Sequence, residues 1–173
     1  MGKILIDLLE IVFVGLVVFF LVLVLFAGKL VIVTGDSMTP NFHDEEQLLA
    51  EKISLELKKL ERGEVVIFHL PEDPEELIIK RIVGLPGEII KISEGSVFIN
   101  GEKLEEPYLE DDMKTAAASK LKEGEEHTIG NNSYILMGDN REKSKDSRFW
   151  GELNEKNIVG RVIFPINFDL LRR

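Results

Sequence analysis

The longest feature of the hydropathy pattern is an apolar run without a charge over residues 11–28, 18 residues in length. As an α-helix this run would extend about 27 Å, close to the ~30 Å hydrocarbon core of a bilayer. A cleaved signal peptide has a shorter apolar core, of ~7–15 residues, and small residues before its cut. Leu25 stands where one of those small residues would be and is too large. The pattern therefore predicts a retained transmembrane anchor.

Beyond residue 29 the pattern changes to short apolar and β-branched stretches separated by turn residues. Such a pattern is typical of a mainly β domain. The turn residues at 84–87, 94–95 and 100–101 fit it, because Pro-Gly and Asn-Gly favour tight turns. We therefore predict a mainly β protein, with its anchor at residues 1–29 and a folded domain at 30–173. The expected strands are residues 30–34, 47–50, 65–68, 77–83, 88–93, 96–100, 103–104, 134–137 and 159–164.

Three stretches between these strands are expected to have another character. Residues 54–60 suit a short helical turn with Ser54 as its cap. The acidic residues 71–76 should form the loop of an antiparallel hairpin between the strands at 65–68 and 77–83. Residues 111–132 have little apolar content, which predicts a mobile excursion within a small insertion at about 88–133.

Charge is distributed unevenly along the chain. Residues 1–29 are neutral overall, so the remainder carries the whole net charge of −10. An acidic domain repels the phosphates of nucleic acid, and we predict no nucleic-acid partner. The chain has no cysteine, which excludes disulfides, a thiol nucleophile and cysteine-based metal sites.

A serine and a lysine are the candidate reactive residues. Ser37 lies between Gly35 and Pro40, just past the predicted anchor. A serine hydroxyl needs a neighbouring base, and a lysine serves as one only when it is neutral. Lys80 sits in an apolar strand, where alternation places it on one face with Ile78 and Ile82. Burial in such surroundings lowers a lysine pKa.

Each residue also has an ordinary interpretation. Ser37 alone could cap a turn, and Lys80 alone could extend from an edge strand to solvent. The three histidines, His43, His69 and His127, show no metal-ligand spacing and no pattern of a Ser-His-Asp triad. We expect no metal and no organic cofactor.

Four blocks in order carry a family resemblance. They are Ser-Met-x-Pro from residue 37, Arg-Gly-Glu-Val-Val-Ile-Phe from 62, Lys-Arg-Ile-Val-Gly-Leu-Pro-Gly-Glu from 80, and Gly-Asp-Asn-Arg-x-x-Ser-x-Asp-Ser-Arg-x-x-Gly from 138. Together they resemble bacterial type I signal peptidase. The resemblance implies a membrane-anchored serine endopeptidase with a coiled β-sheet core and a cytoplasmic N-terminus. Its catalytic domain would lie on the extracytoplasmic side of the plasma membrane.

The resemblance also implies roles for individual residues. Ser37 would be the nucleophile and Lys80 the general base, and Ser144 would hydrogen-bond the lysine amine. Asp146 and Arg148 would form an ion pair that holds the final loop. Asp139 and Arg141 would shape its start, and Arg81 would support the site. Trp150 is expected to pack beneath this loop. Gly35 stands where some members have a serine, so the oxyanion would depend chiefly on the Ser37 backbone N–H.

The implied substrates are translocated preproteins, cut after an Ala-x-Ala-type site at the membrane surface. Small pockets would admit the alanines, and ordinary core packing is the alternative role for their walls. The candidate walls are Val31, Val33, Thr34, Gly35, Met38, Ile78 and Ile79.

Other interpretations of the whole chain remain open at this point. A non-catalytic assembly factor would keep the fold but lose reactive residues, whereas Ser37, Lys80 and Ser144 are all present. A self-cleaving repressor related to LexA would have a DNA-binding domain where this chain has an apolar run. An organellar relative would have a transit segment at its start.

Overall fold

A computed structural model describes residues 2–52, 58–71 and 73–165 of the chain. Helix α1, Gly2–Ala27, begins the chain and leads directly into strand β1, Gly28–Ile32. The side chains described along α1 are exposed on every side of the helix, as in Ile11, Phe13 and Phe20, which are 68–70% exposed. Among the residues described, no helix meets the length and apolarity expected of a membrane span.

The larger sheet has seven strands in the order β1-β2-β11-β3-β4-β9-β10, with antiparallel neighbours. Its centre is the predicted hairpin of β3 and β4, in which Val66 pairs with Lys80. The strands after β1 are β2 (Gln47–Glu51), β3 (Val65–Leu70), β4 (Asp73–Gly84), β9 (Ser133–Met137), β10 (Leu153–Asn154) and β11 (Ile158–Pro165).

A second sheet of four strands, in the order β7-β6-β5-β8, is formed by the chain between β4 and β9. Both of its predicted tight turns are present, because Glu94-Gly95 and Asn100-Gly101 have positive φ at both positions. The type II turn is present as well, with Gly87 at φ +80° and a bond from the Glu88 N–H to the Leu85 carbonyl. The strands are β5 (Ile89–Ser93), β6 (Ser96–Ile99), β7 (Glu102–Lys103) and β8 (Glu126–Thr128).

Two short helical segments lie near the end of the chain: helix α2, Ser147–Trp150, and a 3₁₀ turn, Glu155–Asn157. The hydrophobic core has three parts. One joins the two sheets, one lies under β3, β4 and β9, and the third joins the turn after β1 to β2, β3 and β4. In the second part the ring of Trp150, expected beneath the final loop, packs on the ring of Phe68, with centroids 5.8 Å apart.

The expectation of an acidic loop over residues 71–76 was wrong. Strand β4 already begins at Asp73, so most of the expected acidic loop belongs to the hairpin. Pro74 is tolerated there because β9 pairs with β4 only from Arg81 onward, which leaves the earlier part at an edge. The expected helical turn capped by Ser54 falls largely on residues 53–57, which lie outside the described residues.

Residues 111–132 are packed against the domain rather than lying free of it. Leu121 and Ile129 are buried in the core between the sheets, and Thr115 is 1% exposed. The segment also includes β8 and donates the Lys120 N–H to the Arg148 carbonyl. The few apolar residues of this segment are enough to keep it packed, because distant parts of the chain supply hydrogen-bond partners for its polar groups.

Candidate active site

Ser37 lies in the turn that follows β1. Gly35 enters this turn at φ +82°, a conformation that favours glycine, and its N–H donates to Asp44 Oδ1 at 2.7 Å. Met38 is fully buried in the core part that joins this turn to β2, β3 and β4. The buried methionine fixes the turn, so that the half-buried Ser37 beside it faces Lys80.

Lys80 extends from the middle of β4 and is 4% exposed. Its Nζ lies 2.7 Å from Ser37 Oγ and 2.9 Å from the carbonyl oxygen of Ile79. Burial lowers the pKa of Lys80 to about 8, although Asp146, Asp139 and Glu76 act in the opposite direction. A lysine near pKa 8 is neutral in a substantial fraction of molecules near physiological pH, so its lone pair is available to a hydroxyl proton.

Gly138, at the end of β9, allows a third segment to approach this pair. A Cβ added at Gly138 would collide with the Ser37 carbonyl oxygen and with the Ser144 side chain. Immediately afterwards, the Asn140 N–H donates to the Ser37 carbonyl at 3.1 Å, and its side-chain amide donates to Thr39 Oγ1 at 2.9 Å. The loop after β9 is thus bonded directly to the serine turn.

Asp146 and Arg148 hold this loop together, and both are buried. Two of the Arg148 nitrogens lie 2.8 Å from the Asp146 carboxylate oxygens. Asp146 also caps α2 and accepts the Gly138 N–H at 3.1 Å. Arg148 donates further to the carbonyls of Arg141 and Ser144. The ion pair therefore connects the beginning of the loop to its end.

Ser144 differs from what the resemblance implied. The side chain is buried beside Gly138, but its Oγ has no hydrogen-bond partner among the described residues. The expected bond to the Lys80 amine is therefore absent from this structure, in which Lys80 Nζ is bonded to Ser37 and to the Ile79 carbonyl instead.

A second buried network lies on the other side of the loop. Arg81 makes a two-pronged contact with Asp139, at 2.7 and 2.5 Å, and also donates to the Gly63 carbonyl. Its guanidinium stacks on the ring of Tyr108 at 4.3 Å. Asn41 donates to both Asp139 and the Tyr108 carbonyl. These contacts fix the start of the loop to the chain that follows the serine turn.

Arg141 is 3% exposed and belongs to the same network. It donates to the Gly138 carbonyl, to Glu106 and to Thr115. Sequence reasoning missed Asn41, Glu106, Thr115 and Tyr108, because each contacts a residue far away in the chain. Asn140 could have been found, since it stands inside the last family block.

An open groove of about 880 Å³ runs from the serine and lysine between β1 and β4. Val31, Val33, Thr34, Ile78 and Ile79 line it, as expected from the resemblance. Gly35 and Met38 do not line the groove. Met38 points into the core instead, and Gly35 lies in the exposed turn beyond the groove.

A serine hydroxyl touching a buried lysine amine is an arrangement that some serine hydrolases use in place of a Ser-His-Asp triad. Comparison with known proteins agrees with this class. Residues 5–167 match the sequence model of the family described as signal peptidase, peptidase S26. The chain belongs to this family, as the four blocks indicated, and is by class a serine endopeptidase.

Individual relatives give the same result. The chain is 35% identical over 145 residues to signal peptidase I of Leptolyngbya laminosa, covering 78% of this chain and 68% of that protein. It is 32% identical over 158 residues to signal peptidase IB of Staphylococcus aureus (strain Mu50 / ATCC 700699), covering 83% and 82%. The crystal structure of a signal peptidase I from Enterococcus faecalis V583 superposes with a TM-score of 0.50 at 26% identity, covering 60% of this chain and 97% of that one.

Proposed function

We propose that this protein is a membrane-anchored endopeptidase that removes signal peptides from translocated preproteins, with Ser37 as nucleophile and Lys80 as general base. The observation that carries the proposal is the 2.7 Å contact between Lys80 Nζ and Ser37 Oγ. It is supported by the burial of the lysine, which lowers its pKa to about 8, and by membership of the signal peptidase family.

In the proposed reaction Ser37 Oγ attacks the carbonyl of the residue before the cut, while Lys80 Nζ takes the hydroxyl proton. Lys80 then returns this proton to the departing amine, and water hydrolyses the acyl-enzyme with the same base. The Ser37 N–H makes no backbone hydrogen bond within the described residues and is available for the developing oxyanion. One such donor typically contributes ~2.7–4 kcal/mol to transition-state stabilisation.

The surrounding residues are proposed as positioning groups. Asp146 and Arg148 keep the loop closed, and Arg81 and Asp139 keep its start in register with β4. A buried hydroxyl without a partner costs about 1–3 kcal/mol. A bond from Ser144 Oγ to the lysine amine would remove that cost, so Ser144 remains a proposed orienting residue for the catalytic states.

Substrate would bind in the groove as an extended strand. Among the described residues, those of β4 before Arg81 have no β9 partner, which leaves an edge of the sheet for a peptide strand to pair with. Val33 and Ile79 are nearly fully buried apolar walls beside the serine turn, and we propose that they contact the small side chains of the substrate there. This agrees with cleavage after an Ala-x-Ala-type site.

We further propose that α1 anchors the chain in the plasma membrane, with residues 30–173 on the extracytoplasmic side. The uncharged run at residues 11–28 and the outward apolar side chains of α1 support this. Because β1 follows α1 without a linker, the groove would lie close to the bilayer surface. Secreted preproteins would emerge at this surface. We expect no metal, no organic cofactor and no nucleic acid to take part in the reaction.

The test is incubation of the detergent-solubilised chain with a preprotein that has an Ala-x-Ala site, followed by mass spectrometry of the products. Cleavage after the second alanine should occur with the unmodified chain and be abolished in Ser37→Ala and Lys80→Ala. Lys80→Arg should also be inactive, because a guanidinium remains protonated. Full activity in Lys80→Arg would remove the lysine from the mechanism, and no cleavage by the folded unmodified chain would favour the non-catalytic assembly factor.

A further inference from the structure

The groove is apolar along most of its length, but it has two charged side chains besides Lys80. They are Glu76, on β4, and Lys145, on the loop after β9. Both side chains are exposed, and neither forms an ion pair among the described residues. Each charge is therefore free to interact with a molecule in the groove.

The position of Glu76 relative to the reacting atoms follows from strand geometry. Glu76 and Lys80 both line the groove from β4 and are four residues apart, which corresponds to at most about 13 Å at ~3.3 Å per residue. An extended peptide beside β4 advances at the same rate. For a substrate that runs parallel to β4, the residue next to Glu76 is therefore about four residues upstream of the one next to Lys80, and so about the fifth residue before the cleaved bond.

We propose that Glu76 is a specificity-determining residue that favours a basic side chain over an acidic one about five residues before the cut. This inference rests on the proposed function and adds a charge preference to it. Lys145, of opposite sign in the same groove, acts against this preference. The neighbouring Glu75 is also exposed but does not line the groove, so it provides a matched control for charge alone.

The experiment measures kcat/KM in a nonionic detergent for three peptides that share an Ala-x-Ala site. They differ only in having Lys, Gln or Glu at the fifth residue before the cut, with the fourth and sixth positions tested in the same way. The quantity compared is the ratio of kcat/KM for the Lys peptide to that for the Glu peptide. Any change in the basicity of Lys80 cancels in this ratio, because it affects both peptides equally.

Because an exposed ion pair contributes only modestly to binding, Glu76→Gln should lower the ratio about threefold. Lys145→Gln should raise it by a similar factor, and Glu75→Gln should leave it unchanged. The effect should shrink at 1 M salt, where the screening length is ~3 Å. An unchanged ratio in Glu76→Gln, or an equal change in Glu75→Gln, would overturn the inference while cleavage of the Gln peptide still supported the proposed function. Failure to cleave the Gln peptide would overturn both.

Discussion

Replacing Lys80 by methionine should abolish activity and yet make the folded state more stable at pH 7. Methionine keeps an unbranched side chain of similar length but has no charge. Burial lowers the Lys80 pKa from 10.5 to about 8, and each unit of such a change corresponds to about 1.36 kcal/mol. Keeping this lysine protonated in the folded state therefore costs roughly 3 kcal/mol.

The substitution also removes two hydrogen bonds, to Ser37 Oγ and to the Ile79 carbonyl. Each contributes about 1 kcal/mol. The net gain at pH 7 should therefore be about 1–2 kcal/mol in the free energy of unfolding. A lysine at an active site is expected to have such a cost, because the base must be neutral to act.

The sign of the pH dependence follows from the lowered pKa. Below pH 8 both the folded and the unfolded states hold the Lys80 proton, so the folded state carries the full cost. Between pH 8 and 10.5 the unfolded state binds more protons, and the stability of the unmodified protein rises relative to the variant. The extra free energy of unfolding of Lys80→Met should therefore fall over this interval. At high pH the lysine no longer carries its cost, and the variant should be the less stable protein because it lacks the two hydrogen bonds.

Urea unfolding followed by tryptophan fluorescence measures this difference. The chain has a single tryptophan, Trp150, whose ring packs on Phe68 and so reports on tertiary structure. Lys122→Met, which changes a lysine that is 63% exposed, controls for the loss of one positive charge. The reasoning would be refuted if the difference in free energy of unfolding between Lys80→Met and the unmodified protein stayed constant from pH 7 to 10.

Three further outcomes are expected. Cleavage rate should rise with pH to a plateau with a midpoint near 8, as Lys80 loses its proton; a pH-independent rate from 6 to 9 would contradict this. Gly138→Ala should reduce kcat by at least ~100-fold, because the added Cβ would misplace the reacting groups. Gly160→Ala is the control: its added Cβ would have its nearest neighbour 3.4 Å away, so this variant should retain activity in the same kinetic assay. Asp146→Asn should lower the free energy of unfolding by ~3–5 kcal/mol because Arg148 is left buried without its counter-charge, and a change below 1 kcal/mol in urea unfolding would argue against that role.

The parts of the fold that were predictable are those decided by neighbouring residues. The turns at Glu94-Gly95 and Asn100-Gly101 follow from local backbone preferences, and so does the turn at Gly87. The face of β4 occupied by Lys80 follows from the alternation of one strand. The proximity of Lys80 to Ser37 was predicted in another way. That expectation came from the family blocks, and no property of the two residues alone indicates it.

The parts that could not be predicted depend on residues far apart in the chain. Thr115 and Leu121 are buried through contacts with the final loop and the second sheet, which no local pattern reveals. Met38 was expected in the groove from its family position, whereas its side chain is fully buried in the core. Ser144 Oγ lies beside Gly138 without a hydrogen-bond partner among the described residues, which no local pattern reveals either.

The long sequence separation within the site affects when the chain becomes reactive during its synthesis. Asn140 bonds to Thr39 across 101 positions, and Asp146 and Arg148, which hold the closing loop together, are still later in the chain. A ribosome makes the serine long before the loop that closes on it. A chain synthesised only as far as β4 therefore has Ser37 and Lys80 but not the loop that assembles the site around them. Under the proposed function, peptide-bond cleavage would be withheld until the loop after β9 has been made and folded.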